Sequence, residues 1–172
     1  YPYLIQAADK LMQRTFVGDA LEYLDRAIYI EPDAREYMTL DDADSCLADL
    51  CLKRARALYH LGQLGPSAVE LKRASQLAEA LSEPTLQIGV LTEQGCQARR
   101  MRDLTSAETA LQAAIDLARK HGHRRMEILP LYERGGVAWA RGDLESARNW
   151  WVEGLARSEQ FNDETRLAWG YG

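Results

Sequence analysis

Two similar stretches of sequence decide the fold: MRDLTSA at residues 101–107 and ARGDLESA at residues 140–147. One constant shift along the chain aligns them, and the match extends well beyond both stretches. It pairs Asp103 with Asp143, Leu104 with Leu144, Ser106 with Ser146, Ala107 with Ala147, Leu91 with Leu131, Gly95 with Gly135, Ala98 with Ala138, Leu111 with Trp151, and Ala114 with Gly154. Self-similarity at a fixed period is the sequence signature of a repeat architecture.

Two weaker copies precede this pair. One contains Cys51, Ala55, Leu58, Gly62, Ser67, Leu71 and Ala74, and the first contains Leu4, Ala8, Leu11, Ala20, Leu24 and Ala27. Pro32 is predicted to close the first unit. Because the step from Ala27 to Ala74 is longer than the step from Ala74 to Ala114, we expect an insertion around Ala34–Leu40.

Small residues recur at three positions in every copy: Ala8, Ala55, Gly95 and Gly135; Ala20, Ser67, Ala107 and Ala147; Ala27, Ala74, Ala114 and Gly154. Small residues let two helix backbones approach closely, and Leu and aromatic residues at helical spacing fill the remaining space. In this pattern the chain resembles the tetratricopeptide-repeat (TPR) family. The later repeats are longer than the usual ~34 residues and are similar to those of signalling regulators and adaptor proteins. The resemblance implies an all-α fold, a right-handed superhelical solenoid of about four TPR-like helical hairpins plus a partial terminal helix.

The expected organisation is a single repeat domain over residues 1–172. Its repeats span approximately 1–34, 41–82, 84–122 and 124–161, and residues 163–172 are either a cap or a truncated next repeat. Within the repeats we expect helices near 2–14, 18–30, 41–61, 67–81, 84–101, 104–120, 124–140 and 144–159. Asp103 and Asp143 are placed to cap helix starts, and Thr39 with Asp42 resembles a capping box.

Composition narrows the class of protein. The formal net charge of −5 and the pI of about 5.3 argue against direct nucleic-acid binding. Three cysteines without metal-ligand or disulfide spacing favour a reducing, cytoplasmic location. No apolar run approaches the ~20 residues that a membrane-spanning helix needs, so no membrane partner is expected.

The residue patterns of catalysis are missing from the sequence. It has no glycine-rich phosphate loop, no nucleophile elbow and no His-Glu-x-x-His helix. His121 and His123 lie in a basic turn at 119–125 without further metal ligands nearby. That turn could contact an acidic partner, or it could be a pair of solvated helix ends. We expect no enzyme activity, no cofactor and no metal, and Trp151, which replaces Leu111 in the repeat, is expected in the core.

The TPR resemblance implies that the first helix of each hairpin lines a concave groove. One residue beyond the small-residue positions, a stripe at i, i+4 and i+7 contains Thr92, Cys96 and Arg99 in the third repeat. The candidate groove residues are Arg56, Tyr59, His60, Thr92, Arg99, Arg100, Tyr132 and Trp139. Arg and aromatic residues dominate binding hot spots, and Arg grips carboxylates in a bidentate way. The expected partner is therefore a protein or peptide with an acidic or C-terminal segment. Packing between hairpins is the alternative role for Tyr59 and Trp139.

Three functions of different classes follow from these observations. The first is a scaffold or adaptor that binds a partner polypeptide in the groove. The alternative is the effector-sensing arm of a larger signalling protein, such as a transcription-controlling ATPase, and an accessory region of an enzyme is a third reading. The family's chaperone-binding clamp needs Asn residues that are missing here, because the chain's two are Asn149 and Asn162. No chaperone binding is therefore expected.

Overall fold

A computed structural model describes residues 2–13 and 16–163 of the chain. Its helices are α1 (Pro2–Gln13), α2 (Val17–Arg35), α3 (Leu40–His60), α4 (Leu64–Leu81), α5 (Pro84–Arg100), α6 (Leu104–Lys120), a 3₁₀ turn η1 (Arg124–Glu127), α7 (Ile128–Ala140) and α8 (Leu144–Gln160). No strand occurs in the described ranges, so the prediction of an all-α helical repeat is confirmed. Among the described helices, none has the length and hydropathy needed to span a bilayer.

The chain divides into two compact units, Tyr1–Leu86 and Gln87–Gly172. Unit 1 holds the hairpins α1–α2 and α3–α4. Unit 2 holds most of α5 together with α6, η1, α7 and α8. Each unit is described by itself below, and the single domain over residues 1–172 stays a prediction.

The small residues pack the helices of each hairpin together. Every predicted small-residue position is buried, from Ala8 and Ala20 in the first hairpin to Gly135 and Gly154 in the last. In unit 1, a core of Ala8, Ala20, Leu24, Ala27, Leu50 and Ala57 packs against surrounding Leu, Ile and Tyr side chains. Ser67 also bonds across its hairpin, since its hydroxyl donates to the carbonyl oxygen of Ala55 at 2.6 Å. In this hairpin the predicted close approach of the two helices is confirmed.

Turns of one kind explain the constant period of the repeat. Residues with a left-handed backbone conformation follow the helices at one regular interval along the chain. They are Gly62, Ser82, Arg102, Gly122, Gly142 and Asn162. In the turn after α5, the N–H of Asp103 donates to the carbonyl oxygen of Ala98 and the N–H of Arg102 donates to that of Arg99. These two hydrogen bonds satisfy carbonyl oxygens that the end of the helix would otherwise leave without a donor. One helix with one such turn makes half a repeat, so two of them set the period of the hairpin.

Side-chain caps begin the second helices of unit 2. Asp103 accepts a hydrogen bond from the N–H of Ser106 at 3.1 Å, and Asp143 accepts one from the N–H of Ser146 at 3.0 Å. The hydroxyl and N–H of each serine hold the pKa of its aspartate below the ordinary value. In unit 1, the hydroxyl of Thr39 accepts from the N–H of Asp42 at 3.3 Å. All three predicted caps are confirmed.

Pro32 does not close the first unit, contrary to the sequence prediction. It lies inside α2, which continues to Arg35. The proline removes one backbone hydrogen bond, but the last turn is stabilised by ion pairs from Arg35 to Glu31 and to Asp44, both at 2.8 Å. These contacts stabilise the turn that follows the proline.

The extra residues of the first two repeats lengthen helices instead of forming an inserted loop. Helix α2 has 19 residues and α3 has 21, whereas α5, α6 and α8 each have 17. The expected insertion around Ala34–Leu40 therefore becomes mostly the end of α2 and a short turn.

The seventh helix starts later than predicted. Residues 124–127 form a 3₁₀ turn, and α7 begins at Ile128. Pro130 explains the difference, because its ring would clash with the carbonyl of residue 126 in a continuous α-helix but fits the first turn of a new one. The predicted terminal segment at 163–172 lies outside the described residues, apart from Asp163.

Candidate functional site

The candidate groove residues divide between the two units. Arg56, Tyr59 and His60 lie near the end of α3 in unit 1. Thr92, Arg99 and Arg100 lie on α5, and Tyr132 and Trp139 lie on α7, all in unit 2. Each set is described within its own unit.

In unit 2, Arg99 lies across the backbone of α7. Its Nε donates to Oε2 of Glu133 at 2.6 Å. A Cβ on Gly136 would lie 3.5 Å from Cδ, Nε and Nη1 of Arg99, so the missing side chain leaves the guanidinium close against the helix. The Arg99 side chain remains about one third exposed. Arg99 of α5 is thus held in place against α7, the first helix of the next hairpin.

Trp139 lies three residues beyond Gly136 on α7 and is 62% exposed. Residues three apart on a helix are neighbours on its surface. Large apolar side chains are usually covered, and this indole is not. It therefore does not take the alternative packing role, and the arginine and the tryptophan are both accessible on the first helices of unit 2.

Two other candidates are part of the packing. The hydroxyl of Thr92 donates to the carbonyl oxygen of Ile88 at 2.8 Å within α5, and the residue is buried. The ring of Tyr132 is 9% exposed and packs against Gly154 of α8, 3.3 Å from the position of a Cβ there. Neither offers much surface to a ligand.

The unit 1 candidates form an aromatic pair beside an arginine. The rings of Tyr59 and His60 meet edge to face with centroids 5.5 Å apart. Arg56 and Tyr59 are half-buried, and His60 is exposed at the end of the helix. Arg100, the remaining candidate, is exposed at the end of α5 in unit 2.

The sequence analysis missed an arginine that recurs directly before a small residue. Arg54 on α3 donates to Asp25 of α2 at 2.7 Å and to Glu70 of α4 at 2.6 Å. The equivalent Arg134 on α7, two repeats later, donates to Gln112 and Glu108 of α6 at 2.6 and 3.0 Å and stacks 4.5 Å over the ring of Trp150 on α8. Each links its own hairpin to the second helix before it. The sequence contained a signal for these contacts, because an arginine stands directly before the small residue in both repeats, Ala55 and Gly135.

The basic turn at 119–125 contains an internal charge network. The carboxylate of Glu127 is completely buried and lies 3.5 Å from Arg119, 3.1 Å from Arg124 and 3.4 Å from Arg157. Arg119 also pairs with Glu153 at 2.5 Å. Two arginines of this turn therefore neutralise a buried acid, and this contact joins η1 to α6 and α8.

The structure offers little for nucleophilic or metal chemistry. Burial raises the pKa of the Cys51 thiol to about 12, and Glu70 adds to the effect, so a reactive thiolate is disfavoured. No group of three His, Cys, Asp or Glu residues with the geometry of a metal site occurs among the described residues. His121 and His123 stack with their centroids 6.4 Å apart.

Trp151, predicted in the core, is half-covered. It is 39% exposed, and its ring lies over Gly135, where a Cβ would overlap it. Leu111 covers Gly95 in the same way one repeat earlier, but that leucine is fully buried. The larger indole fills the same place and extends beyond it.

Comparison with known proteins identifies the fold. No protein-family model and no curated protein matches the chain. Among solved structures it is similar to a signal transduction ATPase with numerous domains (STAND) from Pyrococcus horikoshii, described as having a tetratricopeptide repeat sensor. The TM-score is 0.70 at 18% sequence identity, and the match covers 98% of this chain but 26% of that protein. At this identity the likeness concerns the fold alone, and the chain has a TPR-like helical-repeat fold.

Proposed function

We propose that this chain is a protein-interaction module that binds a partner polypeptide on the first helices of its hairpins. The observation that carries the proposal is the exposed Trp139 on α7, beside the surface where Arg99 lies across Gly136. Trp and Arg are the residue types that contribute most to binding hot spots. We propose no catalytic activity for the chain.

The expected ligand has an apolar side chain to cover Trp139 and a carboxylate to meet Arg99. Glu133 fixes the position of the Arg99 side chain at 2.6 Å. Less side-chain entropy is therefore lost when a ligand carboxylate binds it. An acidic segment or a free C-terminus supplies that carboxylate. Arg56, Tyr59 and His60 are proposed as a second contact set on unit 1.

A pull-down tests the proposal directly. The native chain, Trp139→Ala and Arg99→Gln are compared as baits in lysate of the source cells, with Tyr29→Ala as the matched control. Tyr29 is 85% exposed on the second helix α2, so its loss removes an exposed aromatic from a different surface. We expect a protein that the native chain and Tyr29→Ala retain and that both site variants lose. Equal recovery by all four folded baits would contradict the proposed site.

The second candidate is a regulatory arm that senses an effector for a larger signalling protein. The similarity to a STAND protein described as having a TPR sensor favours it, as does the chain's match to only 26% of that protein. No disulfide joins Cys46, Cys51 and Cys96 in the described part of the chain, which supports a reducing, cytoplasmic location. Sequencing the source gene on both sides of this segment tests the candidate. A nucleotide-binding domain there supports it, and flanking sequence without one contradicts it.

A further inference from the structure

The basic turn at residues 119–125 brings three arginines to one buried acid. Arg119 lies on α6, Arg124 on η1 and Arg157 on α8, and each lies within 3.5 Å of the Glu127 carboxylate. The carboxylate is completely buried, whereas the arginine side chains are 36%, 47% and 21% exposed. The acid therefore holds three guanidinium groups together and leaves part of each side chain accessible to solvent.

The arginines offer more hydrogen-bond donors than the neighbouring side chains accept. Each guanidinium has five N–H groups, and the contacts of Arg119 and Arg157 with Glu127, at 3.5 and 3.4 Å, are longer than the ~2.8 Å typical of charged hydrogen bonds. Arg119 also reaches Glu153, and Arg157 reaches Gln160 at 2.7 Å. Nε of Arg157 is buried and has no acceptor among the described residues. Buried polar groups are almost always paired with protein, water or an ion, so this donor indicates an acceptor that the chain does not supply.

The local charge is positive although the chain as a whole is acidic. The three arginines face two carboxylates, those of Glu127 and Glu153. Lys120 and Arg125 are exposed in the same turn and form no ion pair within the described ranges. The formal net charge of the chain is −5, so this positive surface is a local feature. Its cations repel one another, and a bound anion offsets that repulsion.

A phosphate group fits this arrangement better than a carboxylate does. It carries three acceptor oxygens and about two negative charges at neutral pH. These oxygens diverge, and the arginine donors likewise come from three separate elements, α6, η1 and α8. Between Arg119 and Glu127, a stretch that the structure describes in full, no large apolar side chain is exposed. The turn therefore lacks the apolar and aromatic contacts that anchor a polypeptide partner, and a compact anion is the better match.

We propose that Arg119, Arg124 and Arg157 form a binding site for the phosphate group of a small molecule. Glu127 positions the three guanidinium groups, and the exposed cations of the same turn attract the ligand at longer range. Arginine recognises phosphate through its rigid, paired N–H donors. The site uses none of the residues proposed above to bind a polypeptide, so either proposal can fail without the other.

Titration of the full chain with glycerol phosphate at constant ionic strength tests the site. Binding is followed through the NMR signals of the arginine Nε–H groups, and sodium chloride is the control titrant. We expect saturable shifts at Arg124 and Arg157 with glycerol phosphate and none with chloride. Arg124→Gln removes a charge, and Arg157→Lys keeps the charge but removes the Nε donor. Each should weaken binding about tenfold, because hydrogen bonds to a charged group are lost.

Arg148→Gln is the matched control, because it removes an exposed arginine elsewhere on α8 and should leave the affinity unchanged. Melting curves show whether each variant is folded, and the more exposed Arg124 keeps the test decisive if Arg157→Lys does not fold. Shifts that never saturate, equal shifts with chloride, or an affinity that both site variants keep would overturn the proposal. A phosphoserine peptide that binds much more tightly than glycerol phosphate would assign the site to a partner polypeptide and would contradict a small-molecule ligand.

Discussion

The indole of Trp151 lies directly over Gly135, in a space that the Cβ of any other residue would occupy. Its Nε1 donates to the carbonyl oxygen of Tyr132 at 3.1 Å, which fixes the ring on α7. Leu111 covers Gly95 in the preceding hairpin with an aliphatic side chain, which has no such donor. One packing arrangement, a large side chain over a glycine, thus closes both hairpins of unit 2.

Gly135→Ala should destabilise the chain. The new methyl group overlaps a rigid, hydrogen-bonded ring, and overpacking of this kind costs about 1–3 kcal/mol. Urea unfolding measures the change. Gly136→Ala is the matched control in the same helix, because its Cβ meets only the Arg99 side chain at 3.5 Å. The control should be neutral or more stable, by up to about 1 kcal/mol from helix propensity. Equal stability of the two variants would show that the Trp151 contact is not tight.

Arg102→Gly should stabilise the turn between α5 and α6. Arg102 has a φ of 67°, at the position that Gly62 and Gly142 take in the equivalent turns. A left-handed conformation costs a residue with a Cβ about 1–2 kcal/mol, and glycine's greater freedom when unfolded offsets part of this. We expect a gain of up to about 1 kcal/mol in the free energy of unfolding. Gly142→Ala should lower it, and a loss of stability in Arg102→Gly would contradict the account.

Stability should depend on pH through Asp103 and Asp143. Hydrogen bonds from Ser106 and Ser146 lower the pKa of these carboxyls in the folded chain below the ordinary 3.8. Their contribution is therefore fully present above that ordinary value and is lost as the pH falls through the lowered values. Asp103→Ala/Asp143→Ala should melt at a lower temperature than the native chain near neutral pH, because alanine cannot cap the two helices. The difference in melting temperature between the variant and the native chain should narrow progressively as the pH falls. A difference that stays constant through the acid range would exclude the two caps as its source.

Glu127→Gln should be destabilising. The carboxylate is fully buried among Arg119, Arg124 and Arg157. The three arginine side chains are 21–47% exposed, so water can solvate their charge, and we expect a loss of about 1–3 kcal/mol from the broken charged hydrogen bonds. Glu145→Gln, an exposed acid in the first turn of α8, is the control and should change stability by less than about 0.5 kcal/mol. Similar unfolding midpoints for both variants would mean that the arginines are stabilised without Glu127.

The repeat pattern predicted the fold because a small residue recurs wherever the partner helix packs closely: large side chains cover Gly95 and Gly135, and a backbone carbonyl meets Ser67. Gly95, Gly135 and Ser67 therefore appeared at fixed spacing and were placed correctly. Local departures from the repeat pattern were harder to predict from the sequence. Helix α2 continues past Pro32 to Arg35, which pairs with Asp44 on α3, and such distant ion pairs leave no periodic signal.

The candidate site was harder to predict for a geometric reason. Helical spacing predicts the direction in which a side chain points from the helix axis. It does not predict how closely the second helix of the hairpin covers that side chain. Tyr132 and Trp139 share one stripe, yet Tyr132 is covered by α8 at Gly154 and Trp139 is exposed. Whether Arg99, Trp139 and the unit 1 candidates bind a ligand stays a prediction.

Site-specific photo-crosslinking tests the proposed function most directly. A photoreactive phenylalanine analogue is placed at position 139 of the protein in its source cells, and at position 29 as the control. We predict a discrete crosslink to one polypeptide from position 139, absent from position 29 and lost when Arg99→Gln is added. A chain that crosslinks to nothing from position 139, or to the same proteins from both positions, would contradict binding on the first helices.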